Sequence, residues 1–95
     1  MLLPAQFLAA RPTKPERRLM AAVLERAVED CRFAARHPDS AEAKALVREL
    51  RAWFFVDDYS WPYSFVSLCD EFNLGVAWMR RQVAHVVPAF SRAAA

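Results

Sequence analysis

Apolar residues recur along the chain at three- and four-residue intervals, with polar residues filling the positions between them. From Met20 they return at Val23, Ala27, Cys31 and Ala34, and Leu19, Leu24 and Val28 widen the stripe. That spacing keeps one face of a helix apolar. Thr13, Pro15 and Glu16 form its start: Thr13 caps, Pro15 fits the first turn, and Glu16 completes a capping box. The helix should reach about Arg36 and stop before Pro38, because the residue before a proline avoids the helical region. A second helix is expected from Asp39 or Ser40 to near Val56. Leu46, Leu50, Trp53 and Phe54 share its apolar face, and Glu42, Lys44, Arg48, Glu49 and Arg51 form the solvated one. A connection of residues 37–40 makes the two helices an antiparallel hairpin that buries both stripes.

The periodicity then breaks. Residues 57–63 read as a loop, yet seven residues from Trp53 to Phe65 are aromatic: Trp53, Phe54, Phe55, Tyr59, Trp61, Tyr63 and Phe65. Such a loop either plugs the core or presents Tyr59, Trp61 and Tyr63 to a protein partner, since Trp and Tyr are enriched at binding hot spots. Ser64 caps a third helix over 65–72, and a break at Asn73, Leu74 and Gly75 leads to a fourth over 76–87, ended by Pro88. Residues 1–12 form a lead-in, 13–88 a single helical domain, and 89–95 a frayed tail.

Composition narrows the fold further. The 95 residues contain one glycine, one threonine and no isoleucine, so β-sandwiches, Rossmann folds and P-loops are excluded. The fold class expected is all-α: a bundle of about four helices, with a hairpin followed by a helix-turn-helix-like pair at 64–87. The two cysteines, Cys31 and Cys69, read as small buried hydrophobes and not as a disulfide framework. With no zinc spacing and no run long enough to span a bilayer, the expectation is a cytoplasmic protein with no metal and no cofactor.

The net charge is only +2, but it is unevenly placed. Residues 11–18 hold the bases Arg11, Lys14, Arg17 and Arg18 against Glu16 alone, and residues 75–95 hold three arginines, His85 and no acid. Within 65–85 a helix-turn-helix pattern fits. Cys69 takes the small position where helices cross, with Leu68 and Phe72 as buried neighbours. Asn73, four residues on, takes the turn position that needs a positive φ. Leu74 is buried in the turn, and Met79 and Val83 anchor the second helix. Placing Gly75 at the turn instead would bury Glu71, so that register is rejected. Ala77, Arg80, Arg81, Gln82 and His85 remain for the exposed side, the residue types that base-edge and phosphate contacts use. Arg17 and Arg18 would hold phosphates from the basic arm. Trp78 is large for a position that normally holds a small residue.

Trp53-Phe54-Phe55-Val56-Asp57-Asp58, Tyr63-Ser64-Phe65, Cys69 and Met79-Arg80 together resemble a group of small uncharacterised bacterial and prophage proteins. Their shared pattern is roughly W-[IF]-x-x-D-D, a short aromatic and proline loop, F-S-F, a cysteine four residues on, L-G-L and [LM]-R. Residues 19–30 resemble the Arg/Leu-rich helix that precedes it, and the likeness covers about 16–83. This chain departs in having Phe72-Asn73-Leu74 for L-G-L and Gly75-Val76 where Asp and Pro often follow. The group is read as helix-turn-helix-like, so the resemblance implies a fold and not an activity.

Nothing points to an enzyme or a small-molecule substrate. Asp57 with Asp58, and Asp70 with Glu71, are paired carboxylates at helix ends, where acids cap and solvate. Asp57 and Asp58 lie past a helix C-terminus, unfavourable for the dipole, which suggests that they accept hydrogen bonds from the backbone of residues 63–65. The expected function is a small DNA-binding transcriptional regulator of phage or prophage origin, its partner double-stranded DNA. It would act as a homodimer or with a protein partner, through Trp61, Phe90, Leu2 and Leu3. The alternative is an adaptor or inhibitor that grips a host or phage protein through the aromatic patch.

Overall fold

The computed structural model of the protein describes residues 14–91. Among these residues four α-helices follow one another: α1 (Pro15–Arg36), α2 (Ala41–Phe54), α3 (Phe65–Glu71) and α4 (Val76–Val86). A 3-10 turn (Pro88–Phe90) follows α4, and no strand occurs among the described residues. The chain is therefore the all-helical bundle that its composition requires.

Local chemistry explains where each helix starts. Lys14 precedes α1 in an extended conformation and makes no side-chain cap hydrogen bond. The cap position is thus Lys14 and not Thr13, which lies outside the described residues. Pro15, in the first turn, has no N–H to satisfy and a φ already suited to the helix, so the start depends little on a capping side chain. Ser40 and Ser64 do cap: Ala43 N–H donates to Ser40 Oγ at 2.9 Å, and Ser67 N–H to Ser64 Oγ at 3.3 Å. Between α1 and α2, Ser40 N–H donates to His37 O at 3.1 Å, closing the short hairpin connection.

The core sits where the helices converge. From α1 come Leu24, Ala27 and Cys31, from α2 Leu50 and Phe54, from α3 Phe65, Val66, Leu68 and Cys69, and from α4 Met79 and Val83. Alanine and cysteine on α1 let its neighbours approach closely. Leu19, expected to widen the α1 stripe, is 54 % exposed. It lies two positions, about 200° of helical rotation, from buried Ala21, on the opposite side of α1.

Two terminal expectations change. The tail does not fray at residue 89, because Phe90 is buried against Phe54 and Phe55, at ring-centroid distances of 6.1 and 5.5 Å. Phe90 is therefore core and not an exposed contact for a second copy. Arg11, Leu2, Leu3 and the rest of residues 1–13, with 92–95, lie outside the described residues.

Candidate nucleic-acid interface

The turn between α3 and α4 sets the geometry of the site. Asn73 has φ 55°, the one positive φ at a non-glycine residue among those described, while Gly75 has φ −72°. Leu74 N–H donates to Cys69 O at 2.8 Å, and Asn73 N–H to Asp70 O at 3.3 Å. Those two bonds are the Schellman closure of a helix C-terminus, with Asn73 as its left-handed residue. The motif also brings the next residue back onto the helix, and Leu74 accordingly packs on the core. Asn73 is at the expected turn position, and Cys69, at the small position, and its neighbour Leu68 are buried as expected, whereas the other neighbour, Phe72, is not fully so. Phe72 is half-buried, with its ring under the Arg17 guanidinium at 4.9 Å.

Gly75 is the N-cap of α4, and no side chain caps that end. Met79 and Val83 bury one face of α4, so the opposite face is exposed. Ala77, Arg81 and His85 stand in a row at intervals of four residues on that face. Trp78, beside them, is 44 % exposed. Its exposure places the indole at the surface, although the pattern normally holds a small residue there. Gln82 is half-buried at the margin. Arg81 and His85 have no ion-pair partner among the described residues.

Arg80 differs from its neighbour. Its Nε donates to Phe54 O at 2.7 Å and its terminal nitrogen to Asp57 Oδ1 at 2.7 Å. The guanidinium also lies 5.9 and 5.6 Å from the Phe55 and Phe65 ring centroids. Phe54 is the last residue of α2, so Arg80 places a cation on an open carbonyl at the negative end of that helix. Arg80 is therefore not on the exposed side of α4, where sequence spacing put it. This pairing also explains Asp57. It does not accept from the backbone of residues 63–65, because Arg80 supplies the charge that makes a carboxylate tolerable beyond a helix C-terminus.

Arg17 acts similarly. Its Nε lies 3.3 Å from Glu71 Oε1, and its terminal nitrogen donates to Glu71 O, the last residue of α3, at 3.4 Å. Arg18 is exposed. Lys14 is also exposed. The structure thus brings Ala77, Arg81, Gln82 and His85 together on one helix and assigns Arg17 and Arg80 to helix ends. Sequence reasoning missed this division because Arg80 and Arg81 are adjacent and chemically identical. The only signal for it was the poorly placed Asp57, which called for a cation from elsewhere.

The aromatic loop divides in the same way. Trp53 Nε1 donates to Tyr63 O at 3.1 Å, and Trp53, Phe54 and Phe65 pack edge to face. Tyr59 and Trp61 remain 69 % and 51 % exposed, and the half-buried Tyr63 ring lies 6.2 Å from that of Trp61. Asp58 accepts from Ser60 N–H at 2.9 Å and Ser60 Oγ–H at 2.6 Å, which closes the turn before Trp61. The Ser60 hydroxyl, then its amide, hold the Asp58 carboxyl below its ordinary range. Cys31 and Cys69 are free, buried thiols, pushed up to about 12 and about 11 by burial. Asp30 adds to the rise at Cys31, and Arg80 opposes it at Cys69.

No family model, curated protein or solved structure matches the chain. Among the described residues, no helix is long and apolar enough to cross a membrane.

Proposed function

We propose that the protein is a small DNA-binding regulator that reads duplex DNA with α4. The observation that carries this reading is the Asn73 turn, with φ 55° and its two closing hydrogen bonds, followed by an acid-free helix. That helix offers Ala77, Arg81, Gln82 and His85 on one side. Arg81 supplies a planar fork for guanine or phosphate, Gln82 an amide for adenine, and Ala77 a methyl surface for thymine. Trp78 adds apolar area beside them. Arg80 acts in this reading as a positioning residue that ties α4 to the end of α2. One such helix reads few base pairs, so a second copy or a partner protein completes the site.

The test is duplex binding by fluorescence anisotropy as salt is varied. Affinity should fall steeply with salt, and Arg81→Ala should weaken it about tenfold or more while leaving the helical circular dichroism unchanged. No detectable duplex binding at about 50 mM salt overturns the proposal, because phosphate contacts are strongest there. In that event the function passes to the second reading, an adaptor or inhibitor that grips a protein through Tyr59 and Trp61. The exposure of those two rings on a loop pinned by Trp53 and Asp58 supports it.

A further inference from the structure

Lys44, Arg48 and Arg51 occupy one face of α2 at i, i+4 and i+7. They border a recess of about 570 Å3. Ala34 and Ala35 at the end of α1 line its second wall, and Val87 and Ala89 beyond α4 line its third. Ala43 and Val47 complete an apolar floor of short side chains. Among the described residues, no acidic residue lines the recess. Lys44 and Arg48 are exposed and have no ion-pair partner among the described residues. Arg51, which sequence spacing put on the solvated face, is half-buried. Its guanidinium donates to Ala89 O, and its Nε is buried with no hydrogen-bond partner.

Three like charges on one helix face repel one another, and Ala35, Pro38, Val47, Pro88 and Ala89 beside them leave hydrocarbon open to water. One occupant relieves both: an apolar body that ends in an anion. The volume falls in the range of small-molecule sites, about 300–1,000 Å3. A DNA backbone would satisfy the charges but has no use for the floor. We propose that this recess binds a small amphipathic carboxylate. Its aryl or alkyl body lies on Ala35, Val47, Pro88 and Ala89, the apolar lining residues that remain accessible, and its carboxylate pairs with Lys44 and Arg48. Arg51, anchored to Ala89, holds its positive charge in place before the ligand arrives, which lowers the ordering cost of binding. The site is separate from the α4 face and does not depend on the DNA reading.

The full chain is titrated with decanoate and with naphthylacetate, followed by amide NMR spectra. Shifts should concentrate at residues 43–51 and 87–89. The primary amide of each acid should bind about tenfold more weakly or worse, because it removes the charge-assisted hydrogen bonds. The double variant Lys44→Ala with Arg48→Ala alters only exposed side chains and should lose affinity by a similar factor with unchanged circular dichroism. Ala35→Trp should fill the recess and abolish binding. Equal affinity for acid and amide, shifts centred elsewhere, or no binding of either acid at millimolar concentration overturns the proposal. Binding of an acidic amphipathic peptide where neither acid binds also overturns it, in favour of a protein partner.

Discussion

Asn73 holds a backbone angle that costs most L-residues about 1–2 kcal/mol, which its short polar side chain reduces. Asn73→Gly should leave stability unchanged or raise it slightly. Asn73→Ala should fall about 1 kcal/mol below the glycine variant, measured by urea unfolding. Equal stabilities would mean that the left-handed turn is not held in solution. This residue was legible in the sequence because the need for positive φ is a local property and Asn between two apolar residues is a local signal. The contrast between Arg80 and Arg81 was not legible. Which of two adjacent arginines meets Phe54 O depends on how α4 rotates against the end of α2, 26 residues away in sequence.

At the scale of elements, three arginines share one role. Arg17 donates to the end of α3, Arg80 to the end of α2, and Arg51 to the 3-10 turn. Each brings positive charge to carbonyls that have no partner within their own helix. α3 shows why this matters: it has seven residues and no basic residue in its last turn, so Arg17 comes from α1 instead. Arg80→Met keeps the packing over Phe55 and Phe65 but removes the donor to Phe54 O. It should cost about 2 kcal/mol, the size of a hydrogen bond from a charged group, in equilibrium unfolding. Asp57→Asn, at an exposed carboxylate, should cost less than about 1 kcal/mol. If the two variants cost the same, the ion pair and not the α2 carbonyl is the contact that matters. Helix boundaries, unlike these contacts, were readable to within a few residues. Ser40, Ser64, Pro38 and Pro88 act on their own neighbours in the chain.

Across the whole molecule, α1 packs against each of the other three helices, and Cys31 on α1 and Cys69 on α3 belong to one buried cluster. Burial raises both thiols well above neutral pH, so both stay protonated and out of reach of solvent. A thiol reagent at about pH 8, where a free thiol of ordinary pKa is partly ionised, should leave both cysteines unmodified in the native state and label both after denaturation. Rapid native labelling would show that the α1–α3 contact opens readily. Because the core spans all four helices, native protection of the two thiols reports on the bundle as a unit.

The sequence alone determined that the chain is helical, where its helices begin and end to within a few residues, and that Asn73 carries the turn between α3 and α4. Each of these follows from periodicity, capping and backbone preference, which act over a few residues. Only the tertiary structure decided which charges hold helix ends and which stand exposed. It turned Phe90 and Arg80 inward, left Trp78, Tyr59 and Trp61 at the surface, and set Lys44, Arg48 and Arg51 around a recess. Those outcomes depend on the rotation and spacing of packed helices, and no local run of residues encodes them in readable form.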